Sequence, residues 1–104
     1  SVLEADSKLV VDNDGNIYFV GANWYLYSID TNGELRWKKK NYNDSIAITE
    51  EGIIANKMGN GIQLIDFDGK TIWTRFFLFQ ADEFYLTPGG NIVVYFFNNF
   101  LFIT

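Results

Sequence analysis

Apolar residues in this chain fall in short blocks and not in helical stripes. Leu9-Val10-Val11, Ile17-Tyr18-Phe19-Val20, Leu26-Tyr27-Ser28-Ile29 and Val93-Val94-Tyr95-Phe96-Phe97 are rich in β-branched and aromatic residues, several apolar at consecutive positions. A strand with one wet face alternates, so consecutive apolar positions predict strands covered on both faces. Turn formers separate the blocks: Asp14-Gly15, Asn23, Asn32-Gly33, residues 41–44, Glu51-Gly52, Asn60-Gly61, Asp68-Gly69, residues 80–82, Gly89-Gly90 and Asn98-Asn99. Their spacing of roughly 8 to 12 residues is that of short antiparallel strands. The Asn-Gly and Asp-Gly pairs predict two-residue type I′ hairpins.

The expected strands are 2–5, 8–11, 16–20 and 25–30, then 34–40, 45–49, 53–57 and 62–66, then 71–79, 83–87, 91–97 and 100–104. They group into quartets because the chain repeats. The segment IDTNGELRW (29–37) matches IDFDGKTIW (65–73), laying Asp30 over Asp66, Gly33 over Gly69 and Trp37 over Trp73. Upstream, 9–19 matches 46–55 with one deletion, and 85–94 supplies a third copy. A period of this length marks stacked supersecondary units. The expected fold is all-β, with three four-stranded antiparallel blades of β-propeller type. They form one part-propeller unit over 1–104, with blades near 1–31, 32–67 and 68–104 and both ends of the chain in the turn between quartets.

Composition narrows the chemistry. A net charge of −5 and pI near 4.4 oppose the phosphate-neutralising surface of a nucleic-acid binder. Without Cys or His there is no disulfide, no thiolate or imidazole metal ligand, and no Ser-His-Asp machinery. The apolar stretch 92–104 is broken by Asn98 and Asn99 and is too short to span a bilayer as a helix. No catalytic, cofactor-binding or metal residue is therefore assigned, and the chain is expected not to be an enzyme.

Each remaining candidate has a plainer reading. Asp12-Asn13-Asp14-Gly15-Asn16 carries the spaced oxygens of a calcium loop, but no Glu closes the shell and the second repeat has Thr49-Glu50-Glu51-Gly52, so a hairpin turn is expected. Carboxylates at Glu4, Asp6, Glu50, Glu51, Asp82 and Glu83 sit in or beside turns, as solvated acids do. The run Arg36-Trp37-Lys38-Lys39-Lys40 reads as an edge strand kept soluble by lysines. Asn43 to Ser45 fits a glycosylation acceptor in a turn. Phe76, Phe77, Phe79, Phe96, Phe97, Phe100 and Phe102 read as core of the third quartet, whose last strand something must cover.

A strand followed by Asp-x-x-Gly-x-x-x-Trp, present twice, resembles the blades of pyrroloquinoline-quinone-type (quinoprotein-like) propellers. The resemblance implies that Gly33 and Gly69 make tight turns and that Trp37 and Trp73 pack between adjacent blades, with Trp24 off the motif. Such blades occur in dehydrogenases and in assembly scaffolds of the bacterial outer membrane, which points to a periplasmic or extracellular setting. Propellers close with 4 to 8 blades, so three leave two apolar faces bare. The expected partner is a second copy, for example two copies giving six blades, or further blades of a longer chain. The function expected is a non-catalytic scaffold or protein-interaction module. The alternatives are a small-ligand or carbohydrate binder using Trp24 and Tyr25, and, by resemblance alone, a fragment of a quinone-cofactor dehydrogenase.

Overall fold

In a computed structural model the described residues are 5, 7–59, 61–77, 81–96 and 99–103, and among them every regular element is a strand. The first sheet holds β1 (Val10–Val11), β2 (Ile17–Val20), β3 (Tyr25–Ile29) and β4 (Leu35–Lys40) in sequence order. The second holds β5 (Tyr42–Ile48), β6 (Ile53–Lys57), β7 (Gly61–Ile65) and β8 (Thr71–Phe76). The third holds β9 (Glu83–Leu86), β10 (Ile92–Phe96) and β11 (Asn99–Ile103). All neighbours pair antiparallel.

Two of the three sheets have the expected four strands, and the third shows three among the described residues. Of the expected strand 2–5, only Ala5 is described, in an isolated bridge to Gly21. The sheet borders also differ from the expected blade borders at 31/32 and 67/68. Segment 34–40, placed at the head of the second quartet, instead closes the first sheet, with Tyr25 opposite Lys40 and Ile29 opposite Leu35. Thr71–Phe76 likewise closes the second sheet against β7. The reason is local: the Asp-x-x-Gly turn folds its two flanking strands onto each other. The chain changes sheet at Asn41, in the left-handed region at φ 73, where the N–H groups of Asn41 and Tyr42 both donate to the Trp24 carbonyl at 2.9 and 3.0 Å.

Four of the described turns, those opening at Asp12, Asp30, Asp66 and Thr87, are not type I′. At Asp30 the N–H donates to the Glu34 carbonyl, Gly33 donates back to the Asp30 carbonyl, and the Asp30 carboxylate accepts from Asn32 and Glu34. This is a three-residue loop with one left-handed position, whereas type I′ needs two. Asp66 repeats it through Gly69 and Lys70, Asp12 through Gly15 and Asn16, and Thr87 through Gly90 and Asn91. The left-handed residue is Gly each time, at φ between 81 and 93. The turn Gly21–Tyr25 has the same backbone bonds but puts Trp24 in that position at φ 66.

The second sheet lies between the other two, so its inner strands β6 and β7 are buried on both faces. In β6, Ile53 and Ala55 join Tyr18, Val20, Leu26, Tyr42, Ile46 and Ile65 in a core with the first sheet. Ile54 turns the other way, into a core with Ile62, Leu64, Ala81, Phe84, Ile92 and Val94. That two-sided burial is what the consecutive apolar runs require. Buried Asn56 adds a polar tie by donating to the Ala81 carbonyl at 3.1 Å.

Each four-stranded sheet shifts register once along its last strand pair, between Ser28 and Ile29 and again between Leu64 and Ile65. The first shift sets Arg36 and Trp37 side by side toward the second sheet. There the Trp37 ring lies on the turn Asp66–Lys70, so close that a Cβ on Gly69 would stand 2.9 Å from the ring. Gly69→Ala and Gly90→Ala share the cost of a side chain at positive φ, about 1–2 kcal/mol, but Gly90 has open space around it. Thermal unfolding of the pair isolates the contact between sheets: Gly69→Ala is expected to be less stable than Gly90→Ala by about 1–3 kcal/mol of overpacking.

Candidate functional site

Side-chain hydrogen bonds converge on this joint between the first two sheets. The Phe67 carbonyl accepts two bonds, from the Arg36 guanidinium at 2.9 Å and from the Trp37 indole N–H at 3.0 Å. Arg36 also donates to Tyr18 Oη at 3.1 Å and to Ser28 Oγ at 2.9 Å, satisfying a serine with no exposure. Lys39 Nζ reaches the Gly69 carbonyl at 3.0 Å and Thr71 Oγ1 at 3.1 Å. The basic run therefore does more than keep an edge soluble: Arg36, Trp37 and Lys39 grip the neighbouring sheet, while Lys38 and Lys40 stay exposed.

The proposed hairpin at Asp12 is wired into the same joint. Its carboxylate accepts from the N–H groups of Asp14 and Asn16 on one oxygen, and from Asn16 Nδ2 at 3.0 Å and Tyr18 Oη at 2.6 Å on the other. Each carboxylate oxygen thus accepts two bonds from within the turn and β2. Burial opposes ionisation of Asp12, but the bonds from Tyr18, Asn16 and Asp14 outweigh it and hold the carboxyl below its ordinary 3.8. Burial, and then the bond to Asp12, push the Tyr18 hydroxyl up to about 12. Tyr42, donating to Gln63 Oε1 at 2.6 Å, rises to about 12 through burial.

Other sequence candidates are scattered. Glu50 and Glu51 sit at the β5–β6 turn, while Asp82 and Glu83 open β9; Glu4 and Asp6 lie outside the described residues. Asn43 to Ser45 falls inside β5, not in a turn. Trp24 is 44% exposed, whereas Tyr25 is half-buried, stacked on Tyr27 and covered by Lys38 at 5.3 Å, so the two do not make one platform. Phe77 packs against the second core and Phe76 projects outward. Phe79 and Phe97 lie outside the described residues, and Phe96, Phe100 and Phe102 are placed only as strand positions.

Open space lies along the seams. A groove of about 520 Å³ runs along β5 and β9 beside Ser7 and Lys8, which precede β1, with Asp44, Ser45, Glu83 and Tyr85 in its lining. A second of about 530 Å³ lies between the Asp12 turn and Phe67. The third, about 500 Å³, lies between the second and third sheets under Trp73 and Arg75. None of the three holds a group of three or more metal-binding side chains among the described residues.

Stacked antiparallel sheets of this kind have known counterparts. The structure superposes on BamB from Moraxella catarrhalis with TM-score 0.63 at 16% identity, covering 86% of this chain and 30% of that one. It also superposes on a protein of unknown function from Bacteroides caccae with TM-score 0.66 at 15% identity, covering 88% of this chain and 38% of that one. The fold is β-propeller-like. No family model and no curated protein matches the chain by sequence. The chain thus spans about a third of the length of these two proteins, with which it shares a fold and little sequence.

The joint makes stability depend on pH at both ends of the scale. Asp12 is lowered on folding, so its contribution is present above pH 3.8 and lost as pH falls through the folded value. Tyr18 and Tyr42 are raised, so theirs is full below pH 10 and lost as pH climbs from 10 through about 12. Chemical unfolding across pH 9 to 12 is expected, on the order of the ranges above, to show a decline that Tyr42→Phe makes shallower. A decline unchanged in Tyr42→Phe would refute the assignment.

Proposed function

We propose that this chain is a non-catalytic, propeller-type interaction module whose outward blade face is completed by a second copy. The observation that carries this is a row of apolar residues on the first sheet. Val11, Ile17, Ile29 and Leu35 stand opposite one another across all four strands. Val11 and Leu35 are 55% and 53% exposed. The matching row in the second sheet is Ile48, Ile53, Ile65 and Thr71, of which Ile53 and Ile65 are wholly buried beneath the first sheet. The same structural row is thus covered once within the chain and left facing outward once.

The turn beside the row supports the reading. Gly69 carries the Trp37 ring, whereas its repeat partner Gly33 has nothing within 4 Å of where a Cβ would stand. The Asp-x-x-Gly-x-x-x-Trp repeat favours the quinoprotein-like branch of propellers, and BamB as a structural neighbour fits a scaffold role. A head-to-tail stack of two such chains would give a six-blade ring.

Size-exclusion chromatography with light scattering tests this. The wild-type chain is expected at a multiple of the 12.0 kDa chain mass. Leu35→Glu, which plants a charge in the apolar row, is expected to give the single-chain mass while keeping a cooperative unfolding transition, at a temperature lowered by the lost association. A wild-type chain that runs as a folded monomer at every concentration overturns the self-association.

A further inference from the structure

The turn that closes the first sheet carries a chemical weakness that its copies lack. At the third and fourth places of the three-residue turns the chain has Asp14-Gly15, Asn32-Gly33, Asp68-Gly69 and Gly89-Gly90. Of these pairs, Asn32-Gly33 alone joins an amide, which can leave as ammonia, to a glycine, whose bare Cα lets its nitrogen approach the preceding side chain unhindered. Asn32 is exposed, and nothing stands within 4 Å of where a Cβ on Gly33 would be. The copy in the second sheet is shielded by contrast: the Trp37 ring lies over Gly69, and Arg36 reaches Asp68 at 3.5 Å.

What this turn closes matters to the neighbouring sheet. The Asp30 N–H donates to the Glu34 carbonyl at 2.9 Å, the Gly33 N–H to the Asp30 carbonyl at 3.0 Å, and the Glu34 N–H to the Asp30 carboxylate at 3.0 Å. All of these bonds span the peptide link between residues 32 and 33. They set β4 in register on β3, and β4 carries Arg36, Trp37 and Lys39, whose bonds to Phe67, Gly69 and Thr71 hold the second sheet.

We propose that Asn32-Gly33 is a site of spontaneous deamidation, and that its isoaspartyl product loosens the grip of the first sheet on the second. The Gly33 nitrogen, giving up its proton to hydroxide, attacks Asn32 Cγ and closes a cyclic imide; the Cγ–Nδ2 bond breaks, and the amide takes a proton from water and leaves as ammonia. Water then opens the imide at either carbonyl, returning aspartate or, with the chain rerouted through Cγ, isoaspartate. Isoaspartate places an extra backbone carbon between the Cα of residue 32 and the nitrogen of Gly33, so the bonds that span this link no longer close at their present lengths. Its free carboxylate also stands beside Asp30 and Glu34, adding like charge to the turn. This holds for the single chain, whether or not a second copy joins it.

The test incubates the wild-type and Leu35→Glu chains at mildly alkaline pH and body temperature, then maps their peptides by mass spectrometry, with an isoaspartyl methyltransferase to tag the rearranged product. Residue 32 is expected to convert, read separately from the other Asn-Gly pair at 60–61. Conversion that is faster in Leu35→Glu than in the wild type also supports the proposal and reports cover of the turn by a second copy. The fraction modified at residue 32 alone, resolved by ion exchange through its added charge, is expected to show an unfolding equilibrium constant raised about tenfold, the scale of one lost turn hydrogen bond. Asn32→Asp carries the same charge without the extra backbone carbon and is expected to stay within about twofold of the wild type. Enzymatic repair of isoaspartate to aspartate is expected to bring the modified fraction back to the stability of Asn32→Asp. Residue 32 unconverted in both chains after a synthetic peptide of residues 27–38 has fully converted overturns the proposal, as does an isoaspartyl chain as stable as Asn32→Asp.

Discussion

One carbonyl organises the contact between neighbouring sheets. The oxygen of Phe67 receives the side chains of two consecutive residues, Arg36 and Trp37, and successive residues of a regular strand point to opposite faces. The register shift near the end of β4 removes that opposition and brings both donors to the same side. The turn must in turn present its carbonyl outward, which the bonds from Asp68 and Lys70 to the Asp66 carboxylate enforce. Gly69 then leaves room for the indole. Each residue of the Asp-x-x-Gly-x-x-x-Trp signature serves the joint, but the Asp and Gly of one sheet serve the Trp of the sheet before it. Stability in such a stack is a sum over the sheets and the contacts between neighbours.

That division of labour explains what could be read in the sequence and what could not. Strands were legible from apolar blocks, and their two-sided cover from runs such as Ile53-Ile54-Ala55, because burial imprints directly on residue type. The period was legible from Asp30, Gly33 and Trp37 against Asp66, Gly69 and Trp73. The phase of the sheets was not, since a strand such as 34–40 carries the same apolar and polar marks whether it opens one sheet or closes another. Pairing is decided by the loop, and the loop was misjudged: an Asn-Gly or Asp-Gly pair suits two-residue turns, while the side-chain bonds of Asp30 and Asp66 select a three-residue one. The roles of Arg36 and Lys39 were hidden for a related reason. Their partners are backbone carbonyls some thirty residues away, and carbonyls leave no mark on a sequence.

Trp24 shows what the exception to the turn rule is worth. Four turns of this shape place Gly in the left-handed position, and the fifth places a bulky aromatic there at a backbone cost of about 1–2 kcal/mol. The carbonyl of Trp24 is where the chain passes from the first sheet to the second, accepting both the Asn41 and Tyr42 N–H groups. Asn41 is itself left-handed, and its carbonyl accepts from Met58. The crossing between sheets is thus pinned by three backbone bonds that converge on two residues in the left-handed region.

The charge at the joint follows from the same geometry. Arg36, Lys39 and Lys57 crowd one seam of an otherwise acidic chain, and Lys57 feels it: burial first, then Lys39 and Lys40, lower its affinity for a proton. The compensation is not mainly ionic. The ion pair of Arg36 with Asp68 is long, at 3.5 Å, and its carboxylate is almost fully exposed, so it contributes little. Carbonyls of Lys40, Phe67 and Gly69 and the Tyr42 ring, 4.6 Å from Lys57 Nζ, carry the cations instead. Partners of this kind are dipoles fixed by the turn and the strand, so the cations are held only when the neighbouring sheet is folded and in register. A basic strand in this setting acts as a sensor of its neighbour, and it ties the sheets into one cooperative unit where apolar contact alone would tolerate sliding.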